Sequence, residues 1–153
     1  MNLVDCKSAL KTLKSGLPII FPTDTLPAIG CLPKFSNTIY EFKKRARDKP
    51  LILMGSEHEQ LIDYVHESAK EDYENIASKY WPGALTIVIP ASEKQAVNLT
   101  SNDLNIGLRI PNSYIIFENL GKHPIAGNVS VGKIIGKPLF RIFKAVLLST
   151  IFI

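Results

Sequence analysis

Residues 43–50 read KKRARDKP and put five cations, Lys43, Lys44, Arg45, Arg47 and Lys49, beside one acid, Asp48. Like charges repel, so a folded chain gains nothing by gathering them unless they face solvent or an anion. The excess equals the formal net charge of the whole chain, +4. A second excess lies in residues 131–153, where Lys133, Lys137, Arg141 and Lys144 meet no acid. The remainder is net acidic. Basicity confined in this way favours an anion site over a generally adhesive surface. An arginine can take two anionic oxygens in a fork, and a lysine acts as a compact point charge. Taken alone, the stretch also reads as a cationic helix end that complements the helix dipole.

Two further places could do chemistry. Thr23 and Thr25 bracket Asp24 just after an apolar run. Hydroxyls there suit a small polar substrate or a phosphate, and they suit an ordinary turn equally well. Arg109 closes another apolar run before Ile110-Pro111. It could hold a substrate carboxylate at a strand end or make a surface salt bridge. Other chemistries lack their signatures. The chain has no G-x-x-x-x-G-K-[ST], no G-x-G-x-x-G and no G-x-S-x-G. His58, His66 and His123 show no metal-ligand spacing with cysteine or carboxylate, so no protein-bound metal is expected. Cys6 and Cys31, with no apolar leader before them, are expected as reduced thiols of a cytoplasmic protein.

The elements that would carry these residues alternate. Leu3, Cys6, Leu10 and Leu13 recur at helical spacing, with Gly16 as a stop. Leu17–Phe21 predicts a buried strand closed by Pro22. Ser36 is placed to cap a helix through about Lys44, with Ile39 and Phe42 inward. Leu51–Met54 predicts a strand. Ser56 with Glu59, and Ser68 with Glu71, predict capping boxes, the second before Ile76 and Tyr80. Ala84–Ile89, Asn105–Ile110 and Pro124–Val129 predict strands. Asn112 is placed to cap a helix ending at Gly121, and Ser92–Asp103 reads as a loop. At 153 residues this is one α/β domain. The final stretch, PLFRIFKAVLLSTIFI, is apolar but broken by Arg141 and Lys144. Its uncharged run is too short to span a bilayer, so no membrane partner is expected.

Five segments taken in order carry more than any one of them: PTDT (22–25), KKRARDKPL (43–51), YWPGALTIVI (80–89), GLRIP (107–111) and AGNVSVG (126–132). Together they resemble the YrdC family of L-threonylcarbamoyladenylate synthases, over about Leu17–Ser130. The resemblance implies a single twisted mixed β-sheet flanked by helices, with a basic concave cavity. It assigns 1–132 to that domain and leaves 133–153 as an atypical tail packed on it. It implies the joining of ATP, L-threonine and bicarbonate into threonylcarbamoyl-AMP with release of pyrophosphate, for threonylcarbamoyladenosine in tRNA. ATP is then substrate, with Mg²⁺, and tRNA or double-stranded RNA is a further partner. By the same resemblance Lys43 and Arg45 fill the K-x-R positions as catalytic residues. Thr23, Thr25, Lys49, Arg109, Asn128 and Ser130 bind substrate or nucleotide. The flanking motifs thus reverse the plain reading of KKRARDKP. Its turn is expected to aim Lys43, Arg45 and Lys49 inward and to leave Lys44 and Arg47 outside. Trp81-Pro82-Gly83 is expected to position a strand rather than to touch ligand.

The pattern also departs from the family. The family's Tyr-Gly after the threonine turn is Pro27-Ala28 here, the serine of S-x-N is Ala126, and the glycine after N-x-S is Val131. These changes predict lost hydroxyls and restrained backbone at the cavity. The tail differs from the family's usual continuation, which predicts a truncated or frameshifted end. The alternative function is therefore a catalytically impaired paralogue that binds RNA or nucleotide through the retained cations.

Overall fold

The computed structural model describes residues 6–93, 99, 104–113 and 124–128. Helix α1 (Cys6–Lys14) buries Leu13 and exposes Lys7, Lys11 and Lys14. Gly16 ends it at φ +90°, a conformation that L side chains rarely adopt, and its N–H bonds to Leu13 O at 3.0 Å. There follow β1 (Ile19–Phe21), β2 (Ala28–Cys31), α2 (Asn37–Lys43), β3 (Ile52–Met54), α3 (Glu59–Ile62), α4 (Lys70–Tyr80), β4 (Ile87–Pro90), β5 (Asn105–Arg109) and β6 (Ile125–Asn128).

The six strands form one sheet in the order β1-β2-β6-β3-β5-β4. Only β3 and β5 are parallel; the other neighbours are antiparallel. The expected mixed α/β sheet is thus present. Its main core lies on one face, where Leu53, Ile106, Leu108, Cys31 and Ala126 meet Ile39 and Tyr40 of α2, Leu61 of α3 and Tyr73 of α4. On the opposite face Leu13 of α1 joins Phe21, Ala28, Met54 and Ile125. Strand β4 shows the alternation that separates the faces: Ile87 and Ile89 are buried, Val88 and Pro90 exposed.

Several local expectations are corrected. Phe42 is 54% exposed, because Tyr40, not Phe42, shares the inner face with Ile39. In α4 the buried residues are Tyr73 and Ala77, which leaves Ile76 and Tyr80 outside. Ser36 precedes α2 but makes no side-chain cap, since a 3-10 turn at Pro33–Phe35 runs directly into the helix. Ser56 exchanges two hydrogen bonds with Gln60, and α3 starts after His58 with no side-chain cap. At the next start the His66 ring, not Ser68, accepts the backbone N–H, that of Ser68 itself. Strand β2 has no counterpart among the expected strands: three of its four residues, Ala28, Gly30 and Cys31, are small, and Pro27 precedes them. The helix expected over 112–121, most of the 92–103 loop and the 133–153 tail fall outside the described residues.

Candidate functional site

The turn between β1 and β2 is built by its own threonines. Thr23 is buried, and its Oγ1 donates to Leu26 O at 2.7 Å and accepts from Thr25 N–H at 3.2 Å. The two hydroxyl oxygens stand 3.3 Å apart. This fixes the tip so that Asp24 and Thr25 project together. Both meet Arg109 at the end of β5: Nη2 donates to Asp24 Oδ1 at 2.6 Å and to Thr25 Oγ1 at 3.2 Å. Arg109 Nε donates to Gly83 O at 3.1 Å.

One guanidinium, 4% exposed, therefore joins the threonine turn, the W-P-G loop and the R-x-P strand end. Buried charge persists only when paired and hydrogen-bonded, and here it is both. The loop is held in turn by Gly83 N–H on Ile110 O at 2.8 Å and by the Trp81 indole on Leu85 O at 2.7 Å. The Trp81–Pro82 peptide is cis. This loop positions the strand end, as its sequence suggested. Ser113 adds a bond to Pro22 O at 3.1 Å, so the turn is tied on both sides. Asp24, placed between the two threonines, was assigned no role from sequence. Only its neighbourhood with Arg109 could have given it one, and 85 residues separate the two.

The basic stretch begins where α2 ends. Lys44 takes a left-handed conformation at φ 48° and turns the chain. Arg45 is half-buried, and it spends two donors on its own loop: Nε on Lys49 O and Nη2 on Pro50 O, both at 3.0 Å. Lys43 is half-buried too; burial first, and then Arg45, hold its ammonium below the usual lysine pKa. Lys44, Arg47 and Lys49 are exposed. Lys44, Arg45, Arg47 and Lys49 make no ion pair with an acid among the described residues. That leaves a positive field available to an anion.

The ladder relates the two places. Ile52 pairs with Gly107 and Met54 with Arg109, so the basic loop enters β3 at the end opposite Arg109. Phe21 lies beyond the Ile19–Gly30 pair, in line with the residues before Ile52, so the threonine turn leaves the sheet at the basic loop's end. Its tip nonetheless reaches Arg109. The turn thus runs from one end of the sheet toward the other. Thr23, Thr25 and Arg109 are brought together. Arg45 bonds within its own loop, to Lys49 O and Pro50 O, and not to that cluster. The Asn128 backbone pairs with Ile29 in β6, while its side chain, Ser130 and Val131 lie outside the described residues.

Two of the departures fall on described residues. Ala126 is fully buried in the main core beside Leu53 and Cys31, so a serine hydroxyl there would enter apolar packing. Ala28 is an ordinary strand residue; among the described non-glycine residues only Lys44 and Leu104 have positive φ.

The Sua5/YciO/YrdC family model, described as telomere recombination, matches residues 11–129. The chain belongs to this family. It is 32% identical over 131 residues to a threonylcarbamoyl-AMP synthase of Pyrococcus abyssi, covering 82% of this chain and 38% of that protein. A threonylcarbamoyl-AMP synthase of Blochmanniella pennsylvanica is also 32% identical, over 68% of this chain and 56% of the relative. The chain thus spans 38% and 56% of the length of these two curated relatives. Among solved structures, P. abyssi Sua5 complexed with L-threonine has a TM-score of 0.73 at 29% identity, over 83% of this chain and 39% of that one. Escherichia coli YciO has a TM-score of 0.64 at 23% identity, over 80% of this chain and 62% of that one, a likeness of fold alone. No helix among the described residues is long and apolar enough to cross a membrane. No group of three or more His, Cys, Asp or Glu residues among them could hold a metal ion.

Proposed function

We propose that this family member carries the threonylcarbamoyl-AMP synthase activity for which its relatives are named. In that reaction the threonine amine takes up bicarbonate as a carbamate, with loss of water. A carbamate oxygen then attacks the α-phosphorus of ATP, and the bond to pyrophosphate breaks. The observation that carries the reading is the buried Arg109, on which the threonine turn and the W-P-G loop converge. Arg109 orients the exposed Thr25 hydroxyl, and a hydroxyl so held suits the polar groups of threonine. Charge builds on pyrophosphate as it leaves, and Lys43 and Lys49 stabilise it, with Arg45 holding the loop between them. Mg²⁺ enters with the nucleotide, as part of the substrate. Asn128 and Ser130 serve the nucleotide side. A tRNA is the acceptor that consumes the product.

The test is incubation of the purified chain with ATP, L-threonine and bicarbonate, with pyrophosphate as readout. Threonine-dependent pyrophosphate supports the proposal. None above background, together with retained salt-sensitive RNA binding, supports the binding-module alternative instead.

A further inference from the structure

Inside the basic stretch, two carbonyls receive three side-chain donors. Arg45 supplies two of them, to Lys49 O and Pro50 O. The third is the Tyr40 hydroxyl, which donates to Lys49 O at 3.2 Å. Tyr40 is 5% exposed and packs in the main core, so this bond ties the loop to a rigid support. The outer side of the same ring carries Arg47, whose guanidinium carbon lies 5.2 Å from the ring centroid. Arg47 also donates to the Asn37 side-chain oxygen at the start of α2. Along the backbone, Arg45 N–H bonds to Tyr40 O at 2.9 Å and Lys49 N–H to Ala46 O at 3.2 Å. Two of the cations thus grip their own loop or the phenol beneath it, which offsets the repulsion that would otherwise open the bend.

We propose that Tyr40 and Arg45 are positioning residues for the polyphosphate: they preset the bend from Lys44 to Pro50 and so fix where Lys49 presents its charge relative to Lys43 at the end of α2. Tyr40 touches no ligand in this account. Its worth lies in pre-organisation, since cations already in place need no ordering when the anion arrives. The inference rests on the proposed function for the identity of the anion.

The test compares Tyr40→Phe, Arg45→Lys and Arg45→Gln by pyrophosphate release and by calorimetric titration with ATP. Tyr40→Phe changes no charge, and its ring still fills the core. It is expected to weaken ATP binding roughly three- to tenfold, raising KM for ATP and leaving KM for threonine unchanged. Arg45→Lys is expected to rescue little over Arg45→Gln, because an ammonium cannot span two carbonyls. The Tyr40→Phe/Arg45→Lys double variant should fall short of additivity, since both side chains hold Lys49 O. A silent Tyr40→Phe, or full ATP affinity in Arg45→Lys with loss in Arg45→Gln, overturns the positioning role and leaves the proposed function standing. Absence of ATP binding by the unaltered protein overturns both.

Discussion

Arg109 is where one side chain decides most. Its charge is buried, and Asp24 is its ion partner. Removing one member of such a pair leaves the other uncompensated in a poorly solvated place. Asp24→Asn should therefore destabilise the fold by about 3 kcal/mol in urea titration. Arg109→Lys should not restore the native state, because a single ammonium cannot meet Asp24, Thr25 and Gly83 O together. A cost within experimental error would mean that the cluster is not held as described. Cys31 gives a second test. Burial pushes its thiol pKa from 9.0 up to about 12. Unfolded chains ionise this thiol from 9.0 upward, whereas the folded chain keeps it protonated. Its contribution to stability is thus complete below pH 9.0 and is lost as pH rises toward 12. Native protein at pH 8 should resist thiol alkylation, and protein in urea should react fully.

Elements set the geometry, and β2 illustrates how tightly. A Cβ on Gly30 would stand 2.4 Å from Ile125 Cγ2 and 2.9 Å from Phe21 Cε1. Gly30→Ala should cost about 2 kcal/mol by forcing the sheet or its neighbours apart, and Ile125→Leu, which removes the Cγ2 branch, should recover part of that in thermal unfolding. Full stability of Gly30→Ala would show that β1, β2 and β6 pack more loosely. The same strand is not legible in the sequence. Strands rich in branched residues and closed by proline or arginine, such as β4 and β5, were visible from pattern alone. AIGC carries no such pattern, because its burial comes from two neighbouring strands rather than from its own side chains. Phe42 misled for a related reason. Helical spacing allowed it or Tyr40 to face inward, and the hydroxyl of Tyr40 found a backbone partner at Lys49. Phe42→Ser, on the solvent side, should change stability by no more than about 0.5 kcal/mol. The threonine turn and Arg109 were each legible as candidates. Their contact was not, since nothing in the spacing announces which distant acid will meet a strand-end arginine.

Across the whole molecule, charge and fold point to one side of the same problem. An excess of cations equal to the net charge of the chain sits at the end of α2 and on the loop after it, and that loop enters the central strand β3. The threonine turn leaves the sheet at that end and reaches Arg109 with its tip. A small amino acid held at the tip and a polyphosphate held at the loop would be presented to each other along that turn. ATP binding should accordingly weaken as salt rises. It should weaken again at alkaline pH, earlier than an ordinary lysine would dictate, because Lys43 loses its proton sooner. An affinity indifferent to salt would place the nucleotide elsewhere. The most direct measurement of the central claim is pyrophosphate release from ATP with threonine and bicarbonate, for the unaltered chain and for Thr25→Val. The account predicts threonine-dependent release that Thr25→Val reduces by raising KM for threonine alone. Release that is equal without threonine, or that ignores Thr25→Val, would contradict it.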